Sequence, residues 1–193
     1  EELVKWSTPG VPGVVWLFDP AVFVDDDGTG YLYFGGGVPQ GQDANPKTAR
    51  VVKLGDDMIS LASEAVMIDA PCIFEDSGIN KIGDKYYYSY CSNWSVPQSS
   101  KDELGLNTAQ ICYMTSDSPM GPFEYQGVVF QNPGDFFGHH YNNHHCLFEF
   151  NGKWYLTYHA QTRETAMGIH KCYRSVHIDC LTVNEDGSIK KVI

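Results

Sequence analysis

Two acidic residues lie in strongly apolar surroundings. Asp19 has aromatic and aliphatic neighbours within residues 16–20, and Glu75 directly follows the apolar run 72–74. Ionising a carboxyl group among apolar side chains is costly unless the charge is hydrogen-bonded or serves a function. Such a pair suits acid/base chemistry, in which one carboxyl group donates a proton and a neighbouring charge tunes its pKa. Alternatively, Asp19 accepts turn N–H groups ahead of Pro20, and Glu75 is a surface residue at a loop end.

A histidine cluster between positions 139 and 145 is the second candidate site. It holds four of the seven histidines, namely His139, His140, His144 and His145. Imidazole rings bind metal ions, but this spacing is informative only on a helix and no acidic third ligand is fixed nearby, so catalytic zinc is disfavoured. We expect instead a central histidine that binds water, a structural ion or substrate hydroxyl groups.

Three consecutive acidic residues, Asp25, Asp26 and Asp27, crowd a predicted hairpin turn. The spacing of an EF-hand calcium loop is absent around them. We therefore predict that all three are solvated turn residues.

Arg174 and several aromatic residues are candidate contacts to a sugar. An arginine can pair with a carboxylate or donate hydrogen bonds to hydroxyl groups. Rings such as Trp16, Trp94 and Phe137 can stack on sugar rings. The alternatives are a surface salt bridge for Arg174 and core packing for the aromatic rings.

The elements that carry these residues follow a threefold internal repeat. Each copy has an apolar strand, a turn containing glycine and an aromatic strand, with the turn glycines at Gly28, Gly83 and Gly152. Asp-Gly and Asn-Gly turns between such runs indicate hairpins. A second hairpin-like stretch follows each copy, so each unit forms a four-stranded sheet that resembles a β-propeller blade.

These units predict an all-β fold without amphipathic helices. The whole chain, residues 1–193, is expected to be a single partial β-propeller domain, with antiparallel four-stranded blades at about residues 16–68, 69–130 and 143–193. Closure needs about four blades, so three blades leave open edges. The chain then belongs to a longer propeller, or partners or self-association complete it. An irregular β-sandwich is the alternative.

The loops between the repeats are the expected binding face, because long loops on one side of a propeller usually carry its site. Three polar loops rich in small and turn-forming residues fit this description, at residues 35–49, 92–108 and 131–143.

Composition limits the classes of partner. The net charge of −11 argues against nucleic acid as a ligand but leaves a neutral polysaccharide open. No apolar run approaches the roughly 18 residues of a membrane-spanning helix. The six cysteines form no CxxC pair, which disfavours structural zinc, and their apolar contexts favour buried free thiols over disulfides. The sequence begins without Met or a leader, so we expect a processed, trimmed or partial chain.

Several segments, in consistent order, resemble glycoside hydrolase family 43. They are residues 18–28 with 31–35, 74–81 with 86–88, 118–123, and 143–145 with 148–150. The resemblance covers about residues 16–190 and is greatest toward arabinoxylan arabinofuranohydrolases and related xylosidases. It implies a five-bladed propeller that cleaves arabinofuranosyl or xylosyl linkages in plant polysaccharides.

The resemblance also implies roles within an inverting acid/base mechanism. Glu75 matches the general acid, Asp19 the carboxylate that orients this acid and modulates its pKa, and His144 the axial histidine that binds water or a metal ion, often calcium. No organic cofactor is required. The expected substrate contacts are Arg174, His145, Trp94 and Phe137.

One departure from the family concerns the general base, an Asp of the first blade. The sequence that follows Asp19, with its Asp-Asp-Asp-Gly turn, matches the third blade instead. The chain is therefore expected to hold about three of five blades and to lack the base, which would impair hydrolysis by this chain alone. The alternatives are an endo-xylanase or endo-arabinanase of the same family and a non-catalytic carbohydrate-binding propeller fragment. An extracellular or periplasmic location is favoured over a cytoplasmic one.

Overall fold

The computed structural model describes residues 2–169 and 173–193. In this part of the chain, twelve strands form three antiparallel four-stranded sheets, each with its strands in sequence order. The first sheet contains β1 (Ala21–Val24), β2 (Gly30–Gly35), β3 (Ala49–Lys53) and β4 (Val66–Ile68). The second contains β5 (Ile73–Ile82), β6 (Lys85–Ser92), β7 (Ile111–Ser116) and β8 (Glu124–Phe130). The third contains β9 (His145–Phe150), β10 (Lys153–Ala160), β11 (Ser175–Val183) and β12 (Ile189–Lys190). The predicted all-β fold is confirmed.

Local turn chemistry explains the first hairpins of the first and third sheets. Asn151 and Gly152 both have positive φ, 52° and 73°, as the tight turn between β9 and β10 requires. In the turn between β1 and β2, the Gly28 N–H donates to the Asp25 carbonyl, and Gly28 has a φ of 83° that few other residues tolerate.

The first strand of each sheet is an edge strand, and these edges lie together. β5 contacts both β1 and β9, so the segments that lead into the three first strands meet at one place. Buried aromatic rings pack between the first two sheets, where Tyr33 stacks on Tyr88 with their centroids 6.0 Å apart. A second buried cluster, which includes Tyr87 and Leu156, joins the second and third sheets. Burial of these large rings stabilises the packing of the sheets.

The structure differs from the sequence-based predictions in its secondary structure. Three short helices interrupt the connections, α1 (Gln98–Leu104), α2 (Gly134–Phe137) and α3 (Thr162–Met167). The sequence showed no amphipathic helix, and these segments are too short to show an amphipathic period.

Asp25 also departs from its predicted role as a solvated turn residue. Its carboxylate accepts hydrogen bonds from Lys81 Nζ at 2.8 Å and from the Tyr86 hydroxyl at 2.5 Å, both in the second sheet. The Asp25 side chain is only 12% exposed, whereas that of Asp26 is 87% exposed. Asp25 therefore joins two sheets. This contact could not be predicted from the position of Asp25 among three acidic turn residues.

The five described cysteines are all free thiols. Cys72, Cys91 and Cys112 are buried, whereas Cys146 and Cys180 are exposed. Cys172 lies outside the described residues. Among the described helices, none has the length and apolar character needed to cross a membrane.

Candidate active site

Three side chains from three different parts of the chain converge where the first strands begin. Asp19, Glu75 and His144 each offer a potential ligand atom within 4.8 Å of the other two. His144 Nε2 lies 3.1 Å from Glu75 Oε1 and 3.8 Å from Asp19 Oδ2. The structure thus brings together the two acids and the central histidine that the sequence singled out.

The local backbone explains how Asp19 and Glu75 reach this point. Asp19 precedes β1 with a φ of 49°, a left-handed conformation that Asp tolerates better than most residues. Its Oδ2 accepts the Asp76 backbone N–H at 3.0 Å. Glu75 is only 7% exposed and lies within β5, not before it, because two register shifts around Glu75 let the strand continue past an irregular stretch.

His144 is held from the neighbouring strand. It directly precedes β9, and its backbone N–H donates to Nε2 of His159 on β10 at 3.4 Å. Because Nε2 accepts this bond, His159 is neutral with its proton on Nδ1. Burial, followed by the nearby charges of Arg174 and His144, lowers the pKa of His159 to about 4, which is consistent with that neutral form.

The same packing shifts the pKa values of Asp19 and His144. Burial raises the pKa of Asp19 above its usual value, opposed mainly by His144. The contact with the Glu75 carboxylate raises the pKa of His144, against the opposing effect of burial. Groups with environmentally shifted pKa values in a cleft are typical of active sites.

A second hydrogen-bonded group, which the sequence analysis missed, surrounds this trio. The Asp76 carboxylate accepts the His145 backbone N–H at 2.8 Å and pairs with His145 Nδ1 at 2.5 Å. His145 Nε2 pairs with the Ser89 hydroxyl at 2.7 Å. The only sequence signals were the adjacency of Asp76 to Glu75 and of His145 to His144.

These bonds correct the expectation that His145 contacts substrate. The His145 side chain is 0% exposed and both of its ring nitrogens are engaged within the protein. A ring held in this way fixes its neighbours and has no free nitrogen for a sugar hydroxyl.

The remaining predicted substrate contacts are spread around the fold. Arg174 is exposed, with Nη2 3.4 Å from Asn142 Oδ1, and its charge acts on His159. Trp94 is 42% exposed and follows β6. The Phe137 ring packs on His177 with centroids 5.3 Å apart and against the buried core, so packing explains this residue.

The other two histidines of the cluster do not join the site. His140 Nε2 lies 2.7 Å from Asp135 of α2, and the His139 ring stacks on Tyr141. These contacts hold the loop before β9, which explains two of the four histidines without a metal ion.

Asp19, Glu75 and His144 are the only group of potential metal ligands among the described residues. Calcium takes six to eight oxygen ligands. Two carboxylates and one imidazole nitrogen can supply part of such a shell, and carbonyl oxygens or waters would have to supply the rest.

A cavity of about 410 Å³ opens beside the site. Asp19, Asp76 and His144 line it together with residues 77–80 of β5 and the start of β9. Its volume falls in the range of small-molecule sites, roughly 300–1,000 Å³. Carboxyl groups and imidazoles that border such a cavity can exchange protons with a bound sugar and hydrogen-bond its hydroxyl groups.

Comparison with known proteins places the chain in a family. The model of glycosyl hydrolases family 43 matches residues 2–189. An arabinoxylan arabinofuranohydrolase from Bacillus subtilis (strain 168) is 58% identical over 98% of this chain and 38% of its own length. Another from Paenibacillus polymyxa is 56% identical over 98% of this chain and 30% of its own length. The chain therefore spans about a third of the length of these relatives.

Solved structures show the same likeness. The Bacillus subtilis arabinoxylan arabinofuranohydrolase, solved with cellotetraose, has a TM-score of 0.92 and 56% identity, and the match covers 99% of this chain and 40% of that one. An α-L-arabinofuranosidase from Clostridium thermocellum has a TM-score of 0.76 and 42% identity over 99% of this chain and 58% of that one. The three sheets are β-propeller blades, and the chain belongs to glycosyl hydrolases family 43.

Proposed function

We propose that this chain forms part of the catalytic domain of a glycoside hydrolase that removes arabinofuranosyl side chains from arabinoxylan. The observation that carries the proposal is the buried Glu75, held next to His144 and Asp19, two residues that line a cavity, in a chain 58% identical to an arabinoxylan arabinofuranohydrolase. No organic cofactor is needed, because proton transfer and attack by water complete the reaction.

In the proposed mechanism, Glu75 donates a proton to the glycosidic oxygen as the bond to the sugar breaks. Asp19 and His144 hold the Glu75 carboxyl group in place and set the charge around it. An acid in a partly buried site donates its proton effectively when its pKa is matched to the working pH.

The short distance between the two carboxylates argues against Asp19 as the base of this reaction. The nearest ligand atom of Asp19 is within 4.8 Å of that of Glu75. An inverting acid and base lie roughly 6.5–9.5 Å apart, which leaves space for the attacking water. Asp76, the other neighbouring carboxylate, is occupied by His145. We therefore assign the base to a blade outside these residues and expect weak or no hydrolysis by this chain alone.

The exposed face of the third sheet supports this need for further blades. Val176, Ile178 and Cys180 alternate along β11 with their side chains exposed, and Phe150 is exposed on β9. Apolar sheet faces of this kind are normally covered. We propose that further blades of the same polypeptide cover this face, and association between copies is the other candidate.

Xylosyl linkages are the second candidate substrate. Relatives at 30–33% identity carry the names β-xylosidase and xylosidase/arabinosidase. We propose arabinofuranosyl linkages first, because the relatives with that name are more similar to this chain.

A polymeric substrate also favours a site of action outside the cytoplasm. A calcium ion would need ligands beyond the described donor set.

The test is a chimera in which this chain replaces the matching segment of the Bacillus subtilis enzyme. We expect the chimera to release arabinose from arabinoxylan and Glu75→Gln to reduce release by about 10²–10⁴-fold. Glu149→Gln makes the same chemical change at an exposed position of β9 and should have no effect. Release of xylose in place of arabinose would favour the second candidate, and unchanged activity of Glu75→Gln would refute the assigned acid.

A further inference from the structure

Asp76 contacts all three segments that build the active site. It follows Glu75 in β5, its backbone N–H donates to Asp19 Oδ2 before β1, and its Oδ2 accepts the backbone N–H of His145 at the start of β9. Its Oδ1 lies 4.0 Å from His144 Nδ1. One buried residue therefore contacts the segments that carry Asp19 and His144, the two neighbours of Glu75.

The backbone at Asp76 is specialised for this position. Its φ of 68° is left-handed, and β5 shifts its register between Glu75 and Gly78. Such a conformation persists only where its surroundings hold it. At Asp76 the surroundings are the hydrogen bonds to Asp19 and His145, which accompany the departure of Glu75 and Asp76 from the regular strand pairing.

The partner of Asp76 is itself anchored. His145 bridges Asp76 and Ser89 through its two ring nitrogens. This bridge needs Gly78, since a Cβ atom there would lie 2.5 Å from Ser89 Oγ and 3.3 Å from His145 Nε2. Rings and carboxylates fixed from both ends in this way hold catalytic groups in a productive geometry.

We propose that Asp76 is a positioning residue that, through its bonds to Asp19 and His145, sets the placement of Asp19 and His144 around Glu75. This inference rests on the proposed function, since it concerns the same acid. Both contacts of Asp76 Oδ2 go to His145, so Asp76 acts on Glu75 through its neighbours. Its loss displaces the groups around the proton donor, and misplacement of about 1 Å costs on the order of 10²-fold in rate.

The test compares Asp76→Ala with Asp76→Asn in the chimera. Asn tolerates the left-handed backbone, and its side-chain oxygen can accept both bonds that Asp76 Oδ2 now accepts. We expect Asp76→Ala to lower kcat on arabinoxylan fragments by about 10²-fold with little change in KM. Asp76→Asn should recover kcat to within about tenfold of the parent.

Two controls separate positioning from general damage to the fold. Asp25→Ala removes another partly buried inter-sheet aspartate away from the site, and should lower the thermal midpoint while leaving kcat unchanged. In the Glu75→Gln background, Asp76→Ala should add little further loss, because both changes act on the same proton transfer.

Equal losses in Asp76→Ala and Asp76→Asn, a rise in KM in place of a fall in kcat, or full additivity with Glu75→Gln would each overturn the inference. An inactive parent chimera, or an active Glu75→Gln variant, would instead refute the proposed function and the inference with it. If the parent chimera is active, Glu75→Gln is inactive and Asp76→Ala keeps the activity of the parent, the inference alone is wrong.

Discussion

His144 Nε2 lies 3.1 Å from Glu75 Oε1, although the two residues belong to different parts of the chain, one before β9 and the other inside β5. An imidazole nitrogen and a carboxylate oxygen approach this closely when a proton lies on one of them. The contact raises the pKa of His144. The site is therefore built around a close imidazole–carboxylate contact, with the Asp19 carboxylate as the third member of the group.

Asp19→Asn should stabilise the fold at neutral pH. Burial raises the pKa of Asp19 in the folded protein, so its ionised form is favoured less there than in the unfolded chain. Below the ordinary value of 3.8 the carboxyl group is protonated in both states and the substitution has little effect. As the pH rises through the folded pKa, the parent loses stability that the Asn variant keeps.

Thermal midpoints of the parent chimera and Asp19→Asn, measured from about pH 4 to pH 8, check this sign. Asn can still accept the Asp76 N–H, so the comparison isolates the charge. A variant less stable than the parent at neutral pH would contradict the account. Hydrolysis should fall in the same variant, because the charge beside Glu75 is lost.

His159→Gln should reduce the sensitivity of the fold to acid. The pKa of His159 is lowered from 6.5 to about 4, so the unfolded chain binds a proton in this window that the folded chain does not. Stability is full above pH 6.5 and is lost as the pH falls toward 4. The Gln oxygen can replace Nε2 as acceptor for the His144 N–H without titrating.

Urea unfolding at several pH values between 4 and 6.5 measures this effect, with His140→Gln as the control at an exposed histidine. The free energy of unfolding should depend less steeply on pH in His159→Gln, by up to about one proton. An unchanged slope would contradict a neutral, half-buried His159.

Asp25→Ala and Asp26→Ala should differ clearly although the residues are adjacent. Asp25 accepts bonds from both Lys81 and Tyr86 in the second sheet, so its loss should lower the free energy of unfolding by about 1–3 kcal/mol. Asp26 pairs with Lys81 at the surface, so its loss should cost about 0–1 kcal/mol. Denaturant titration measures the free energy of unfolding of the two variants. Equal losses in both variants would show that Asp25 does not join the sheets.

Much of the fold could be predicted from local sequence signals. The Asn151–Gly152 turn and the glycine turns at Gly28 and Gly83 marked the first hairpin of each sheet, because few other residues tolerate their backbone angles. Asp19 and Glu75 stood out because carboxyl groups are rare among apolar neighbours.

The rest depended on contacts between residues far apart in sequence. The bonds of Asp76 to Asp19 and His145, and of Asp25 to Lys81, leave no periodic trace in the sequence. The extension of β5 through Glu75 arises from irregular pairing with β6, which strand propensity does not encode. Such features follow from the packing of neighbouring blades.

The most direct test of the account is the dependence of Glu75→Gln on the leaving group. The variant is assayed in the chimera on arabinoxylan fragments and on a nitrophenyl arabinofuranoside, whose leaving group departs without a proton. We predict a loss of about 10²–10⁴-fold on the fragments and less than about tenfold on the activated substrate. Equal losses on both substrates would contradict the role of Glu75 as the proton donor.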